Sequence, residues 1–434
     1  MEIKRDSYLL QLQNFHYNGQ LKIVTGVRRC GKSYLLRKIF RNWLLSHGVD
    51  DEHILVVDLE KKNGLKYRNP LLLSEFVERK VKHGKDRFYL FVDEVQLSDE
   101  VPNPWNPAGR KVTIYDILNE FREYENLDVY VTGSNSMMLS SDVLTQFRGR
   151  ADEVRVHPLT FSEYFASVKK EKREALDEFM YFGGMPYLYS RADDAAKRDY
   201  LRKLFDEVYL KDIIERKGIE RPEVLNYVLN LLCSSLGSLT NPNNIANLLK
   251  SQYGVDASVN TISAYIGYLK DAFLFSEVRR FDVKGRSYFD YPNKYYCEDV
   301  GLRNACTEWR HIEPTHLMEC VVYNELIARG CAVDVGVVYA RRKNETGNYV
   351  KVAKEIDFVV NDKGRRIYVQ SAWMIGDAEK EKSEVEPFSL TGDSFRKILV
   401  RGDIGKAFYD ACGNLNISLY DFLLHKDSLS TDYL

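Results

Sequence analysis

Four short runs of apolar, mostly β-branched residues, at 20–26 (QLKIVTG), 53–59 (HILVVDL), 88–94 (FYLFVDE) and 128–134 (LDVYVTG), punctuate the first part of the chain, each separated from the next by a stretch long enough for a helix. Strand-length runs alternating with helix-length segments predict an α/β fold built on a parallel sheet with helices on both faces. Between the third and fourth runs, VPNPWNPAG carries three Pro and one Gly, which cannot extend a helix, so 96–111 reads as a mobile surface loop. From about Leu159 to Lys217 the period changes. Tyr200, Leu201, Leu204, Phe205, Val208 and Leu210 recur near a period of about 3.6 residues, which reads as a helical lid.

Residues 219–296 read as a helix, an NPNN turn, a helix at Ile245–Gln252, a turn, a helix at Val259–Asp271 and two strands around Phe273–Phe281 and Arg286–Tyr296. That order matches a winged helix-turn-helix. After Glu298, a helix (Leu317–Arg329) mixes with strands near Val333–Tyr339, Glu355–Val360 and Arg366–Gln370, a separate α/β domain. The expected boundaries are 1–158, 159–218, 219–297 and 298–434. Several domains suit a chain of 434 residues, since one core stops growing at roughly 250–300.

Composition narrows the class. With 44% hydrophobic and 29% charged residues, 11 Pro and 26 Gly, the chain is neither disordered nor fibrous. A formal net charge of −1 supplies no global field toward nucleic acid or anionic membrane, so any basic surface is local. Seven Cys without a CxxC pair, and no signal-like apolar stretch at the start, suggest reduced thiols in a cytoplasmic protein and no zinc site. The longest uncharged window, Val224 to Leu249, is broken by Asn226, Asn230, Asn241, Pro242, Asn243 and Asn244, so no membrane span is expected.

The chemistry concentrates in the first domain. Gly26-Val-Arg28-Arg29-Cys30-Gly31-Lys32-Ser33 follows the strand LKIVT and opens the helix SYLLRKIFRNWLL, the context a phosphate-binding loop requires. Gly26 and Gly31 let backbone amides, including those of Arg28, Arg29, Cys30 and Tyr34, turn toward a nucleotide's phosphates. Lys32 reaches the β- and γ-phosphates, and the Ser33 hydroxyl can ligate Mg²⁺. FYLFVDE then ends a strand in two carboxylates: Asp93 suits Mg²⁺ held through water, and Glu94 suits polarising the attacking water. ATP and Mg²⁺ are the expected cofactors. In DVYVTGSNS, Ser134 and Asn135 are placed to sense a γ-phosphate, or to cap the following helix. In Phe147-Arg148-Gly149-Arg150, Arg148 or Arg150 suits an arginine finger reaching a neighbouring subunit of a homo-oligomer, or an ordinary salt-bridged loop pair.

GVRRCGKS, FVDE, TGSNS, FRGR with PLTFSEY, and FGGMP at 182–186 together resemble prokaryotic P-loop ATPases of the AAA+ superfamily, over most of residues 1–218. The resemblance implies an ATP-driven switch, with Lys32 and Asp93 carried over by position. KLFDEVYLKDIIERKGI at 203–219 resembles the helix linking such a module to a C-terminal region. The last domain resembles the restriction-endonuclease-like fold, through LMECVVYNELIARG, KEIDFVV and RRIYVQSAW. An active member binds metal through an acid on that helix and an Asp on the first strand, then supplies Glu-x-Lys. Glu325 and Asp357 fit the first two positions, whereas Gln370 and Ala372 stand where the Glu and Lys belong, so no nuclease activity is expected.

Arg279, Arg280, Lys284, Arg286 and Lys294, interleaved with Phe281, Tyr288, Phe289 and Tyr291, form a candidate phosphate-contacting edge for double-stranded DNA. The helix VNTISAYIGYLKD, with Lys270 as its only base, can equally pack against its own domain. The alternatives are thus a switch acting on DNA and one acting on a protein partner without nucleic acid.

Overall fold

The computed structural model describes residues 3–81, 86–133, 149–310, 312–345 and 347–433. The chain divides into two compact units, one of residues 2–158 with 271–273, the other of residues 159–270 with 274–434.

In the first unit, β1 (Leu21–Thr25), β2 (Ile54–Asp58), β3 (Phe88–Asp93), β4 (Leu127–Thr132) and β5 (Ala151–Arg155) form one sheet in the order β2-β3-β4-β1-β5. Every pairing is parallel. Burial on both faces explains the near-continuous apolar runs of the sequence: Ile23, Val57, Leu90, Val92, Val129 and Val131 belong to one core with Leu73 and Val77 of the helix Pro70–Val81 and Leu118 and Phe121 of the helix Ile114–Phe121. A capping box between Thr113 and Asp116 starts the latter helix. The segment VPNPWNPAG, expected as a surface loop, is exposed around Trp105, and its ends are joined by an antiparallel bridge between Val101 and Val112.

The second unit opens with helices. PLTFSEY contains a capping box in which Thr160 accepts from the Glu163 amide and the Glu163 carboxylate accepts from the Thr160 amide, starting the helix Phe161–Phe165. FGGMP has a packing reason: a Cβ on Gly183 (φ +77°) would lie 2.2 Å from Asp299 Oδ1, and the Gly184 amide donates to Asp299 Oδ2 at 2.6 Å. Asp299 in turn caps the helix Val300–Cys306. Burial pushes its carboxyl up to about 6, although the Gly184, Leu302 and Gly301 amides pull the other way.

Three helices follow, Pro222–Ser234, Pro242–Tyr253 and Val259–Asp271, then β6 (Phe275–Val278), β7 (Arg280–Asp282), β8 (Ser287–Tyr288) and β9 (Lys294–Cys297). The helix order matches the sequence reading, but four short strands replace the two expected. β6 and β9 pair antiparallel as a two-stranded sheet. The hairpin between them joins a larger sheet of eight strands, β14-β15-β13-β12-β11-β10-β7-β8, with β10 (Ala332–Lys343), β11 (Tyr349–Asp362), β12 (Arg365–Ala372), β13 (Arg396–Arg401), β14 (Phe408–Tyr409) and β15 (Leu415–Ser418). β7 runs parallel to β10, so this sheet crosses the boundary expected after residue 297.

Candidate functional site

The order of the first sheet brings separate sequence motifs to one edge. β4 lies between β1 and β3, so the carboxyl ends of all three strands emerge side by side, the place where open parallel sheets bind ligands.

Leaving β1, the chain turns through Gly26 (φ +134°), Arg29 (φ +65°) and Gly31 (φ +105°). A Cβ at Gly26 would lie 2.0 Å from the Val156 carbonyl oxygen, so glycine is required there. The Cys30 thiol donates to that same oxygen at 3.1 Å, closing the loop on the segment after β5. Helical segments Lys32–Tyr34, Leu35–Phe40 and Arg41–Ser46 then run as one continuous helix. Lys32 is buried, its amine donating to the Gly26 oxygen at 2.9 Å and the Val27 oxygen at 3.1 Å. The amine is thereby held over the loop whose amides would face a phosphate. Arg28 lies 3.7 Å from Glu60, Arg29 is exposed, and the Lys38 amine sits 5.8 Å from the Tyr34 ring centre.

Ser33 and Asp93, sixty residues apart, meet: the Ser33 hydroxyl donates to Asp93 Oδ1 at 2.9 Å. The Thr132 hydroxyl donates to the same oxygen and accepts from the Glu94 amide at 3.1 Å. Two hydroxyls and a carboxylate are hard oxygen donors of the kind Mg²⁺ uses beside phosphates and waters. With the Lys32 amine and the curled loop adjacent, these residues fit Mg²⁺ and a nucleoside triphosphate. Glu94 stands at φ +57°, a conformation costing a non-glycine residue roughly 1–3 kcal/mol. It precedes the tight turn Val95–Leu97, and its carboxylate accepts from the Gln96 amide group.

Arg37 was not singled out by the sequence. One turn beyond Ser33, its guanidinium Nη1 donates to Asp58 Oδ2 at 2.6 Å and to Asp93 Oδ2 at 3.3 Å, linking the ends of β2 and β3. Burial pushes the Asp58 carboxyl up, but hydrogen bonds from Arg37, the Glu60 amide and Lys61 outweigh it and hold the group below its ordinary value. Thr132 was also missed. A hydroxyl ending an apolar strand was the only signal, and it means something only once β4 is known to lie beside β3.

Ser134, Asn135 and Arg148 lie outside the described residues. Arg150 is exposed at the opposite end of the sheet, its carbonyl accepting from the Leu21 amide. At about 3.3 Å per residue, the five residues of β1 separate it from the loop by about 16 Å, so its side chain does not join Lys32 and Asp93 within one chain.

In the second unit, the helix Pro314–Ala328 carries two acids in different surroundings. Glu325 is bound by Arg329 at 2.7 Å. Glu319, six residues earlier and about 120° around the helix, accepts from Lys294 at 2.8 Å and Tyr296 at 2.6 Å. Lys294 also lies 2.6 Å from Glu355. Burial, reinforced by Glu319 and opposed by Lys294, pushes the Asp357 carboxyl up to about 8. Of the two acids, Glu319 shares Lys294 with Glu355 and helps raise the Asp357 carboxyl, whereas Glu325 is held by Arg329. Gln370 bonds Asp357 and Glu384, each at 3.2 Å, and Ala372 offers no charge.

Of the five cations on the candidate nucleic-acid edge, Lys294 is thus buried. Arg279, just before β7, and Lys284 and Arg286, between β7 and β8, are exposed, Arg280 is half-buried, and Arg279 lies 4.6 Å from the ring centre of Tyr288, itself 50% exposed. On the helix Val259–Asp271, Ile262, Tyr265, Ile266 and Leu269 are buried, and Lys270 is paired with Glu277.

Residues 18–165 match the AAA domain family AAA_14, and residues 173–313 match a domain of unknown function, DUF8612. An uncharacterized protein of Haemophilus influenzae is 30% identical over 405 residues, spanning 92% of this chain and 93% of that protein. An uncharacterized protein of Methanocaldococcus jannaschii is 27% identical over 379 residues, 84% of this chain and 77% of its own. A Walker-type ATPase of Pyrococcus abyssi superposes with a TM-score of 0.48 at 15% identity, covering 70% of this chain and 96% of that one.

Proposed function

We propose, from the premise that this chain belongs to the same protein family as the uncharacterized Haemophilus influenzae relative, that it is a Mg²⁺-dependent ATP-hydrolysing switch whose first unit carries the ATPase. The observation that carries the reading is the convergence of Ser33, Asp93 and Thr132 beside the loop held by Lys32. Bound Mg²⁺ would supply charge neutralisation for the β- and γ-phosphates. Lys32 would exchange its contacts with the Gly26 and Val27 carbonyls for phosphate oxygens. Ser33 and Asp93 would present oxygens to the metal, and Glu94 would orient and polarise the attacking water. Thr132 would fix both acids by bonding the Asp93 carboxylate and the Glu94 amide at once. Arg148 or Arg150 would serve only a neighbouring subunit.

The switch is proposed to act on DNA through the β7–β8 hairpin, supported by its exposed cations and Tyr288. The second reading, a protein partner without nucleic acid, is favoured by the buried apolar face and paired Lys270 of Val259–Asp271. With Gln370 and Ala372 in place of the Glu and Lys, we do not propose that the C-terminal region cuts DNA.

ATPase rates of the whole chain, with and without double-stranded DNA at two salt concentrations, test both halves. Lys32→Ala should abolish turnover, and Glu94→Gln should reduce it about 10²-fold or more while retaining nucleotide. Stimulation by DNA that fades with salt supports the DNA reading; turnover indifferent to DNA supports the protein partner. Wild type without turnover overturns the ATPase.

A further inference from the structure

We propose that Arg37 and Asp58 form a positioning pair that sets the affinity of Asp93 for Mg²⁺, an inference that rests on the nucleotide-site reading above. Asp93 is buried, and both of its carboxylate oxygens are engaged. Oδ1 faces the Ser33 and Thr132 hydroxyls, while Oδ2 faces the Arg37 guanidinium. Fixing Oδ2 stops the carboxylate from turning, so Oδ1 stays beside the Ser33 hydroxyl, and these two groups would hold the metal, Asp93 through water. Orientation prepared before binding lowers the ordering cost of binding.

A cation beside a metal ligand also repels the metal, and distances decide which effect prevails. Arg37 lies closer to Asp58 than to Asp93, 2.6 Å against 3.3 Å. Its charge is therefore matched first by Asp58, which the Glu60 amide at 3.1 Å and Lys61 at 3.4 Å also hold in place. Lys61 is 58% exposed and screened by water, so Asp58 chiefly offsets the Arg37 charge, and Arg37 orients Asp93 without expelling Mg²⁺. Asp58 is thus not a third metal ligand but the group that lets an arginine stand beside one. Loss of either member weakens the metal site by a different route: without Arg37 the carboxylate is free to turn, and without Asp58 an unmatched guanidinium competes for it.

The test measures binding of a fluorescent ATP analogue, methylanthraniloyl-ATP, to the whole chain, first in EDTA and then during titration with Mg²⁺. Arg37→Ala and Asp58→Asn are each expected to raise the half-saturating Mg²⁺ concentration about tenfold, the scale of one hydrogen bond to a charged group, while analogue affinity in EDTA stays within about twofold. Arg37→Lys should recover part of the loss, because an ammonium keeps the charge but not the guanidinium's reach to two carboxylates. Unchanged Mg²⁺ dependence in both Arg37→Ala and Asp58→Asn overturns the inference. So does equal weakening with and without Mg²⁺, which marks a general distortion of the loop. Wild type that binds no analogue in either condition instead overturns the nucleotide-site reading itself.

Discussion

Gly26 takes a left-handed φ of +134° with the Val156 carbonyl where a Cβ would stand. Gly26→Ala is therefore expected to lose nucleotide binding and to destabilise the first unit by at least the roughly 1–3 kcal/mol of such backbone strain, read as lower melting temperature and lost analogue fluorescence. This residue was legible in the sequence because the constraint is local: the loop's spacing between a strand and a helix carries it. Lys32 and Ser33 were singled out by the same spacing, and Asp93 and Glu94 by two carboxylates ending the apolar run FYLFVDE. Arg37 and Thr132 were not, because their roles depend on which strands are neighbours. An arginine within LLRKIF reads as a solvated helix position until the ends of β2 and β3 stand beside it. Lys22 was hidden likewise. Inside LKIVT it is fully buried, paired with Asp128, which also accepts from the Tyr130 hydroxyl at 2.8 Å.

Four of the five strands of the first sheet were read from apolar runs that burial on both faces produces, and their boundaries agree to within about two residues; β5 was not read, because ADEVR holds no apolar run. The order β2-β3-β4-β1-β5 was not read, since periodicity reports what a strand buries and not what it pairs with. β9 shows the same limit. KYYC looked like the second half of a wing, with Lys294 toward a partner's phosphates, yet Lys294 is the buried cation between Glu319 and Glu355. Lys294→Met should cost about 3–5 kcal/mol in denaturant unfolding, because it strands buried carboxylates. Asp357 supplies a pH test. Its folded value is raised to about 8 from 3.8 by burial and Glu319, so its contribution to stability is full below about pH 4 and lost as pH rises toward 8. Melting temperature should fall across that window in wild type, and Asp357→Asn should flatten the fall.

Across the whole chain, two compact units stand where four segments were expected, and no helix among the described residues is long and apolar enough to cross a membrane. The expected boundary at 297/298 meets a different arrangement, because β7 and β8 extend a sheet whose other six strands all come after it. A fragment of 298–434 would expose the open edge of β10 and leave Glu319 without Lys294, so it should aggregate on expression, whereas 274–434 should remain more soluble. Light scattering of the two fragments checks this.

That interlaced hairpin bears on how such proteins can diversify. A recombination event joining the front of one relative to the back of another at residue 298 would pair a β7 edge from one parent with a β10 edge from the other, and a lysine from one with carboxylates from the other. Shuffling of ends should therefore succeed only where the crossover falls before β6, so that strand hairpin, buried charges and sheet are inherited as a single cassette.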